Sequence, residues 1–310
     1  MPEGLRSAAG ELRTFDEMMA SSPESPFCLF SYYCDNLGDH IQTLALLQHV
    51  RPAVLVHRDH LTPYPDLCLL ANGWISNGRL ADPAQFREVR YLGVHLAWER
   101  RNPRDAETIA QFGEVGCRDP ATRDYFKSLG FPAVLTGCAT SSLPEYLGPR
   151  EGVYCVDVPD AVKERAVRLF RDPVFLTHNL EPHFRWRYYP EEIDATVVTA
   201  QFRRAHEQLH KYMTAELVIT ARVHAALPSA ALGTPVVYVG VTEEDDDRVG
   251  VVTDAGIPCI TQGDQLSSHR VGKREASHSA LLRERFLQHL YGRVAQIRGP
   301  ASAATAPAPS

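Results

Sequence analysis

The sequence predicts an α/β fold in which mostly parallel strands are organised in two halves. Short apolar runs rich in Val, Leu, Phe and Tyr alternate with longer helical stretches, which is typical of strand–helix–strand units. The chain has 310 residues, about twice the length of a typical domain. A loop rich in Pro and Gly lies near residue 150, between two series of strands. We therefore expect two Rossmann-like domains that face a common cleft.

The elements of each half follow from apolar periodicity and from helix-ending residues. In the first half, strands are predicted at residues 27–33, 53–57, 66–73, 89–97 and 132–137. Helices are predicted between them, among them residues 40–50 and 122–130. In the second half, strands are predicted at residues 152–159, 174–179, 216–222 and 235–240. Helices are expected at residues 160–171 and in a long segment that ends near residue 213.

The domain boundary is placed near residue 150, which gives an N-terminal domain of residues 1–150 and a C-terminal domain of residues 151–298. Residues 299–310 are mostly Pro, Ala and Ser. Such a tail buries little apolar surface, so we expect it to be disordered.

The charge balance limits the classes of partner. The chain has 32 Lys and Arg against 38 Asp and Glu, a formal net charge of -6 at pH 7. It has no long basic run, which argues against nucleic acid and anionic membrane as bulk partners. An anionic ligand must then be held by a few locally placed cations.

Cysteine usage and hydropathy indicate the compartment. The seven cysteines form no C-x-x-C pair, which argues against both a disulfide framework and a cysteine-based zinc site. The N-terminal segment lacks an apolar signal region, and no apolar stretch is long enough to span a bilayer. We expect a cytoplasmic protein without a transmembrane segment, either free or peripheral to the inner face of the membrane.

Three strand-to-helix corners carry candidate functional residues. At the first, Asn36 and Gly38 suit a tight turn, and Asp39 is predicted to be the N-cap of a helix that starts at His40. A helix N-terminus at this place offers free N–H groups to an anion. Simple helix capping is the alternative interpretation.

The second and third corners each place an arginine after a strand. Arg118 precedes a helix opened by Pro120, so it either reaches into the cleft or pairs with a neighbouring aspartate. Arg222 and His224 lie where a buried strand passes into a helix of small residues. Together they offer an anion-binding cation and an acid or base that titrates near neutrality, and a structural histidine is the alternative.

Three further features have mainly structural interpretations. The sequence HEQLH at residues 206–210 matches a zinc-protease pattern, but no extension with a third His follows, so we interpret it as a solvated helix face. The acidic run at residues 243–248 is either a solvated loop or a site for a cation or sugar hydroxyl. Trp74 is expected in a Gly-flanked loop after a strand, where it stacks on a sugar or belongs to the core.

These motifs, in this order, resemble those of the polysaccharide pyruvyl transferase family. The similarity covers roughly residues 27–255. The matching segments are the N-x-G-D turn at 36–39, NGW at 72–74, GCRD with its following Thr at 116–122, TGCATSSLP from 136, R-x-H through GTPV at 222–236, and R-x-G near Arg248.

The resemblance implies a glycosyltransferase-B-like architecture and transfer of a pyruvyl group from phosphoenolpyruvate. The product is a ketal on two hydroxyls of a sugar in a surface or secreted glycan, such as an exopolysaccharide. Phosphoenolpyruvate is then a co-substrate, with no cofactor and no metal. The acceptor is a sugar or oligosaccharide, lipid-linked or free.

The resemblance also assigns roles to residues. His224 and Asp39 are the expected acid and base, with the acceptor on the N-terminal side and the donor on the C-terminal side. The expected phosphoenolpyruvate-binding residues are Arg118, Arg222, Asn36 and Gly38, and the acceptor-side candidates are Trp74, Asn72 and Arg248. Two alternatives stay open: a glycosyltransferase with a nucleotide-sugar site in the second half, and a non-catalytic glycan-binding protein.

Overall fold

The structure is a computed structural model of the whole chain. It describes residues 12–75, 85–180, 194–240, 246, 249–267 and 276–297. The predicted C-terminal tail and Arg248 lie outside these residues.

The first half forms a parallel sheet of six strands. The strands are β1 (Phe27–Ser31), β2 (Val54–His57), β3 (Tyr64–Ile75), β4 (Phe86–Leu96), β5 (Val115–Cys117) and β6 (Ala133–Leu135). Their order in the sheet is β2-β1-β3-β4-β5-β6, and every pair is parallel. The helices of this half are α1 (Phe15–Met19), α2 (Leu37–Leu47), α3 (Pro103–Ala110) and α4 (Pro120–Ser128).

The second half forms a parallel sheet of five strands. The strands are β7 (Val153–Val156), β8 (Val174–Leu176), β9 (Leu217–Thr220), β10 (Val236–Val239) and β11 (Cys259–Ile260), in the order β11-β10-β9-β7-β8. The helices are α5 (Asp160–Leu169), α6 (Ala195–Thr214), α7 (Val223–Ala231), α8 (Gly250–Asp254) and α9 (Ala276–Ile297). The prediction of an α/β fold with two parallel sheets is confirmed.

The two halves share one hydrophobic core. Helix α2 of the first half packs against α6 of the second, and α9 packs against β4 and the 3₁₀ turn Ala139–Ser142 of the first half. One continuous cluster of buried side chains therefore runs through both halves, while a smaller cluster lies on the other face of the second sheet. The sequence boundary at residue 150 falls between β6 and β7, and its status as a domain boundary stays a prediction.

The predicted start of α2 is wrong. The helix begins at Leu37 rather than His40, and its N-cap is Asn36 rather than Asp39. The backbone of Asn36 is extended, with φ -121° and ψ 115°, and its side-chain oxygen accepts the Gly38 N–H at 3.0 Å. Asn is as good an N-cap as Asp, so the earlier residue takes the role and Asp39 enters the first turn.

The predicted position of Trp74 in a loop is also wrong. Strand β3 continues to Ile75, and Trp74 pairs in register with His95 of β4. The register shifts between Ala71 and Gly73, and the pairing resumes at Gly73, whose φ is +92° and which pairs with Val94.

All seven cysteines are free, and all but Cys259 are buried. Within the described ranges, no helix combines the length and the apolar character that a membrane crossing requires.

Gly93 of β4 lets the backbone of Gly137 pack closely against the strand. We therefore predict that Gly93→Ala destabilises the protein. Its φ is +64°, and a Cβ atom would lie 2.6 Å from the carbonyl oxygen of Gly137. Gly130→Ala is the matched control, since its φ is +81° and nothing lies within 4 Å of the added atom. Backbone strain lowers the free energy of unfolding of both variants by roughly 1–2 kcal/mol. Overpacking lowers that of Gly93→Ala alone by a further amount of about 1–3 kcal/mol. Equal midpoints of urea unfolding would contradict this account.

Candidate functional site

A cleft of about 150 Å³ lies at the carboxyl ends of strands from both sheets. Parallel sheets commonly bind ligands at this edge. The residues that line the cleft are Asn36, Asp39, Trp74, Arg118, His178, Ala221, Arg222, Val223, His224, Tyr238 and Asp246. The three predicted corners, which lie far apart in the sequence, therefore meet in one place.

The N-terminus of α2 packs directly against His224. A Cβ atom on Gly38 would lie 2.9 Å from Nδ1 of His224, so only glycine leaves room for the imidazole there. The preceding Asn36 is held by an antiparallel bridge to Asn179, in which Leu37 N–H donates to the carbonyl oxygen of His178 at 3.0 Å. The turn after β1 is thus fixed by the second half of the chain.

The start of α7 gives His224 an unusual backbone. Arg222 is the N-cap of this helix, and His224 has φ -86° and ψ 15°, outside helical geometry. Pro228 lies four residues later, lacks the N–H that would bond to the His224 carbonyl, and its ring crowds that carbonyl. Pro228 therefore explains why the first turn of α7 opens and presents His224 to the cleft.

Arg222 is held in place from the loops after β7 and β8. Its Nε donates to Oδ2 of Asp157 at 2.8 Å, and its Nη2 donates to Oδ1 of Asn179 at 2.8 Å. Asp157 adopts a left-handed backbone, with φ 50°, and also accepts the His178 N–H at 2.9 Å. Burial raises the pKa of Asp157, but its hydrogen bonds and the charge of Arg222 outweigh burial, and the net shift is downward. The ionised carboxylate thus fixes the guanidinium.

Arg118 reaches the cleft and also neighbours Asp119, so both sequence interpretations hold. Its Nη1 lies 3.5 Å from Nε2 of His224, and its Nε lies 3.8 Å from Oδ2 of Asp119. The Asp119 carboxylate also caps α4 and accepts a hydrogen bond from Nδ1 of His95 at 2.7 Å. Burial raises the pKa of Asp119, but the bond from His95 and the charge of Arg118 prevail and lower it. Arg118 is only 2% exposed, and its Nε makes no hydrogen bond in the described structure.

Asp39 is paired with a buried arginine that the sequence analysis missed. Nη1 of Arg58 donates to Oδ2 of Asp39 at 3.0 Å, and its Nε donates to Asp59 at 3.0 Å. The guanidinium also lies over the ring of Tyr32, 5.0 Å from its centroid. Burial lowers the pKa of Arg58, but the two carboxylates more than compensate and raise it. Arg58 therefore stays charged and holds the Asp39 carboxylate at the wall of the cleft.

The acceptor-side candidates are distributed unevenly. Trp74 lines the cleft. Asn72 is fully buried and does not line the cleft, and its amide makes no hydrogen bond within the described residues. Arg248 falls outside the residues that the structure describes, and of the acidic run only Asp246 is seen, at the cleft wall.

The HEQLH segment lies on α6 and does not line the cleft. Its prediction as a solvated face is wrong, because His206, Gln208 and Leu209 are buried in the packing of α6. His206 is 8% exposed, packs edge-on against Phe15 and bonds through Nε2 to the carbonyl oxygen of Arg13 at 3.2 Å. The described part of the chain holds no group of three His, Cys, Asp or Glu side chains arranged to bind a metal ion.

The residues that the sequence analysis missed share one property. Asp157, His178 and Asn179 follow strands β7 and β8, and Arg58 follows β2. Their position at the carboxyl ends of predicted strands was a usable signal. Their partners are distant in the sequence, so no local motif identifies them.

Comparison with known proteins identifies the family. The family model described as polysaccharide pyruvyl transferase matches residues 36–243, about two thirds of the chain. The chain belongs to this family. Membership assigns it to transferases of polysaccharide pyruvylation, and the matched segment contains Asn36, Arg118, Arg222 and His224. No match was found among curated proteins.

Several solved structures resemble this family member at low identity. An uncharacterised protein from Klebsiella pneumoniae is 14% identical, with a TM-score of 0.42 over 75% of this chain and 92% of that one. A putative UDP-N-acetylglucosamine 2-epimerase from Listeria monocytogenes is 10% identical, with a TM-score of 0.45 over 89% and 98%. A variant of the wall teichoic acid polymerase TagF soaked with CDPG is 11% identical, with a TM-score of 0.38 over 89% and 85%. Similarity at this level carries no argument about function.

The Arg58 pairs predict a large stability difference between two arginine variants. Arg58→Ala leaves the buried carboxylates of Asp39 and Asp59 without their cation, which costs about 3–5 kcal/mol. Arg123→Ala is the control, because it removes an ion pair with Asp124 whose side chains are 29% and 61% exposed, and such pairs contribute about 1 kcal/mol or less. Urea unfolding at pH 7 measures both, and similar losses for the two variants would refute the anchoring role of Arg58.

Proposed function

We propose that the protein transfers the pyruvyl group of phosphoenolpyruvate onto two hydroxyls of a sugar, forming a ketal and releasing phosphate. The observation that carries the proposal is the convergence of Arg118, Arg222 and His224 with the N-termini of α2 and α7 in one cleft. The acceptor is a sugar or oligosaccharide of a surface glycan, free or lipid-linked, and the reaction takes place in the cytoplasm or at the inner face of the membrane.

The electrostatics of the cleft suit a small anion. Phosphoenolpyruvate carries a carboxylate and a phosphate, and arginine guanidinium groups match both in geometry and charge. Arg118 is buried beside Asp119, and Arg222 is fixed by Asp157, so both are preorganised. The positive ends of the α2 and α7 dipoles add to their field. Arg118 and Arg222 are thus the cationic side chains of the described cleft lining that the anion would contact, in a chain of net charge -6.

The proposed chemistry gives each residue one step. His224 protonates the methylene carbon of phosphoenolpyruvate, which makes the neighbouring carbon electrophilic. Asp39 accepts the proton of the first sugar hydroxyl as its oxygen attacks that carbon. The second hydroxyl then displaces phosphate and closes the ring, and its proton replaces the one that His224 gave up. Asp39 passes the proton that it accepted to the departing phosphate, so both side chains return to their starting states. One phosphoenolpyruvate and one diol thus yield one ketal and one phosphate.

The cleft has a volume of about 150 Å³, which is room for a small three-carbon anion. A non-catalytic glycan-binding protein has no need of a buried arginine 3.5 Å from a histidine.

Turnover with defined variants tests the proposal. We expect the wild-type chain, incubated with phosphoenolpyruvate and a panel of glycosides, to release phosphate and to add one pyruvyl ketal to an acceptor. His224→Ala abolishes phosphate release while the protein stays folded, because the carbon is no longer protonated. His210→Ala, at an exposed position of α6, is the matched control and retains full activity.

Two results would contradict the proposal. If the wild-type chain neither turned over nor bound phosphoenolpyruvate, phosphoenolpyruvate would be excluded as the donor substrate. Near-normal phosphate release by His224→Ala would remove His224 from the mechanism.

A further inference from the structure

A second histidine of the cleft has no role in the chemistry above. His178 follows β8, lines the cleft and is only 1% exposed. Both of its backbone polar groups are used, since its N–H donates to Asp157 and its carbonyl accepts from Leu37. Its backbone is therefore fixed by both halves of the chain.

The ring of His178 is oriented by Tyr212 of α6. The Tyr212 hydroxyl lies 2.7 Å from Nε2 of His178, and its side chain is fully buried. Burial raises the pKa of Tyr212 well above its ordinary value, so the phenol keeps its proton. Within the described residues, His178 is the hydrogen-bond partner of this hydroxyl. If Nε2 donated, the phenol proton would be buried without an acceptor, which is unfavourable. Tyr212 therefore donates and Nε2 accepts.

This assignment fixes the tautomer of His178. A neutral imidazole that accepts at Nε2 carries its proton on Nδ1. Burial, opposed by the charge of Asp157 and aided by that of Arg222, lowers the pKa of His178 to about 3, so the ring is neutral near pH 7. Nδ1 makes no hydrogen bond to the residues that the structure describes. The result is an N–H donor without an acceptor among the described residues, on a side chain that lines the cleft.

We infer that His178 is a further substrate-binding residue, which donates its Nδ1–H to an anionic oxygen of phosphoenolpyruvate, and that Tyr212 is its positioning residue. The inference rests on the proposed function. It separates the roles of the two cleft histidines: His224 exchanges a proton with the substrate, whereas His178 keeps its proton and binds. A neutral donor adds affinity for the anion without a second titrating group beside His224.

Two variants at His178 distinguish the loss of the hydrogen-bond donor from a change in side-chain shape. His178→Asn places an amide N–H near the position of Nδ1, whereas His178→Leu has similar bulk and no donor. We expect calorimetry to show phosphoenolpyruvate binding weakened about tenfold or more in His178→Leu, since a hydrogen bond to a charged group is lost. His178→Asn stays within about threefold of the wild type. In turnover, KM for phosphoenolpyruvate rises more than kcat falls.

The tautomer is tested directly in the wild-type chain by ¹⁵N NMR of the histidine rings. We expect the His178 signals to show a protonated Nδ1 that shifts when phosphoenolpyruvate is added. Tyr212→Phe, which keeps the ring and removes the hydroxyl, mixes the two tautomers and raises KM. Because the NMR measurement uses the wild-type chain, it tests the inference even if His178→Leu does not fold.

The outcomes distinguish the two proposals. If the wild type binds phosphoenolpyruvate but His178→Leu binds it equally well, or the wild-type ring is protonated at Nε2, the inference about His178 fails and the proposed function stands. If the wild type does not bind phosphoenolpyruvate, the proposed function fails and the inference fails with it.

Discussion

The cleft depends on a short backbone bridge between the loop after β1 and the loop after β8. Leu37 N–H donates to His178 at 3.0 Å, and Leu180 N–H donates to Asp35 at 2.8 Å. These bonds hold the carboxyl ends of the two sheets together, and the packing of α2 against α6 beneath them extends the same contact. Because of this bridge, the N-terminus of α2 meets the start of α7, and Gly38 lies against the ring of His224.

The second constraint is that charged side chains buried near the cleft need partners of opposite charge. Asp39 is neutralised by Arg58, and Asp157 by Arg222, at distances of 3.0 and 2.8 Å. Such pairs contribute little net stability, but breaking one is costly, so they fix geometry. Arg118 differs, because its Nε lacks a hydrogen bond within the described structure. This Nε lies 3.8 Å from Oδ2 of Asp119, whereas Nη1 of the same guanidinium lies 3.5 Å from Nε2 of His224, where the anion is expected.

The strand-to-helix corners were predictable from the sequence, and the contacts between them were not. Arg118, Arg222 and His224 each follow an apolar run that reads as a strand, and parallel strands bring their carboxyl ends to one edge. The start of α2 was misplaced because Asn36 and Asp39 are equally good N-caps, and only the bridge to Asn179 decides between them. The roles of Asp157, His178 and Arg58 depend on partners across the fold, which local patterns do not encode.

The central claim is that Arg118, Arg222 and the two helix N-termini form one site for phosphoenolpyruvate. A crystal structure of the chain with phosphoenolpyruvate tests it most directly. The account predicts that anionic oxygens of the ligand lie within hydrogen-bond distance of both guanidinium groups and that its methylene carbon faces His224. Phosphoenolpyruvate bound elsewhere on the chain, or an empty cleft at saturating concentration, would contradict it.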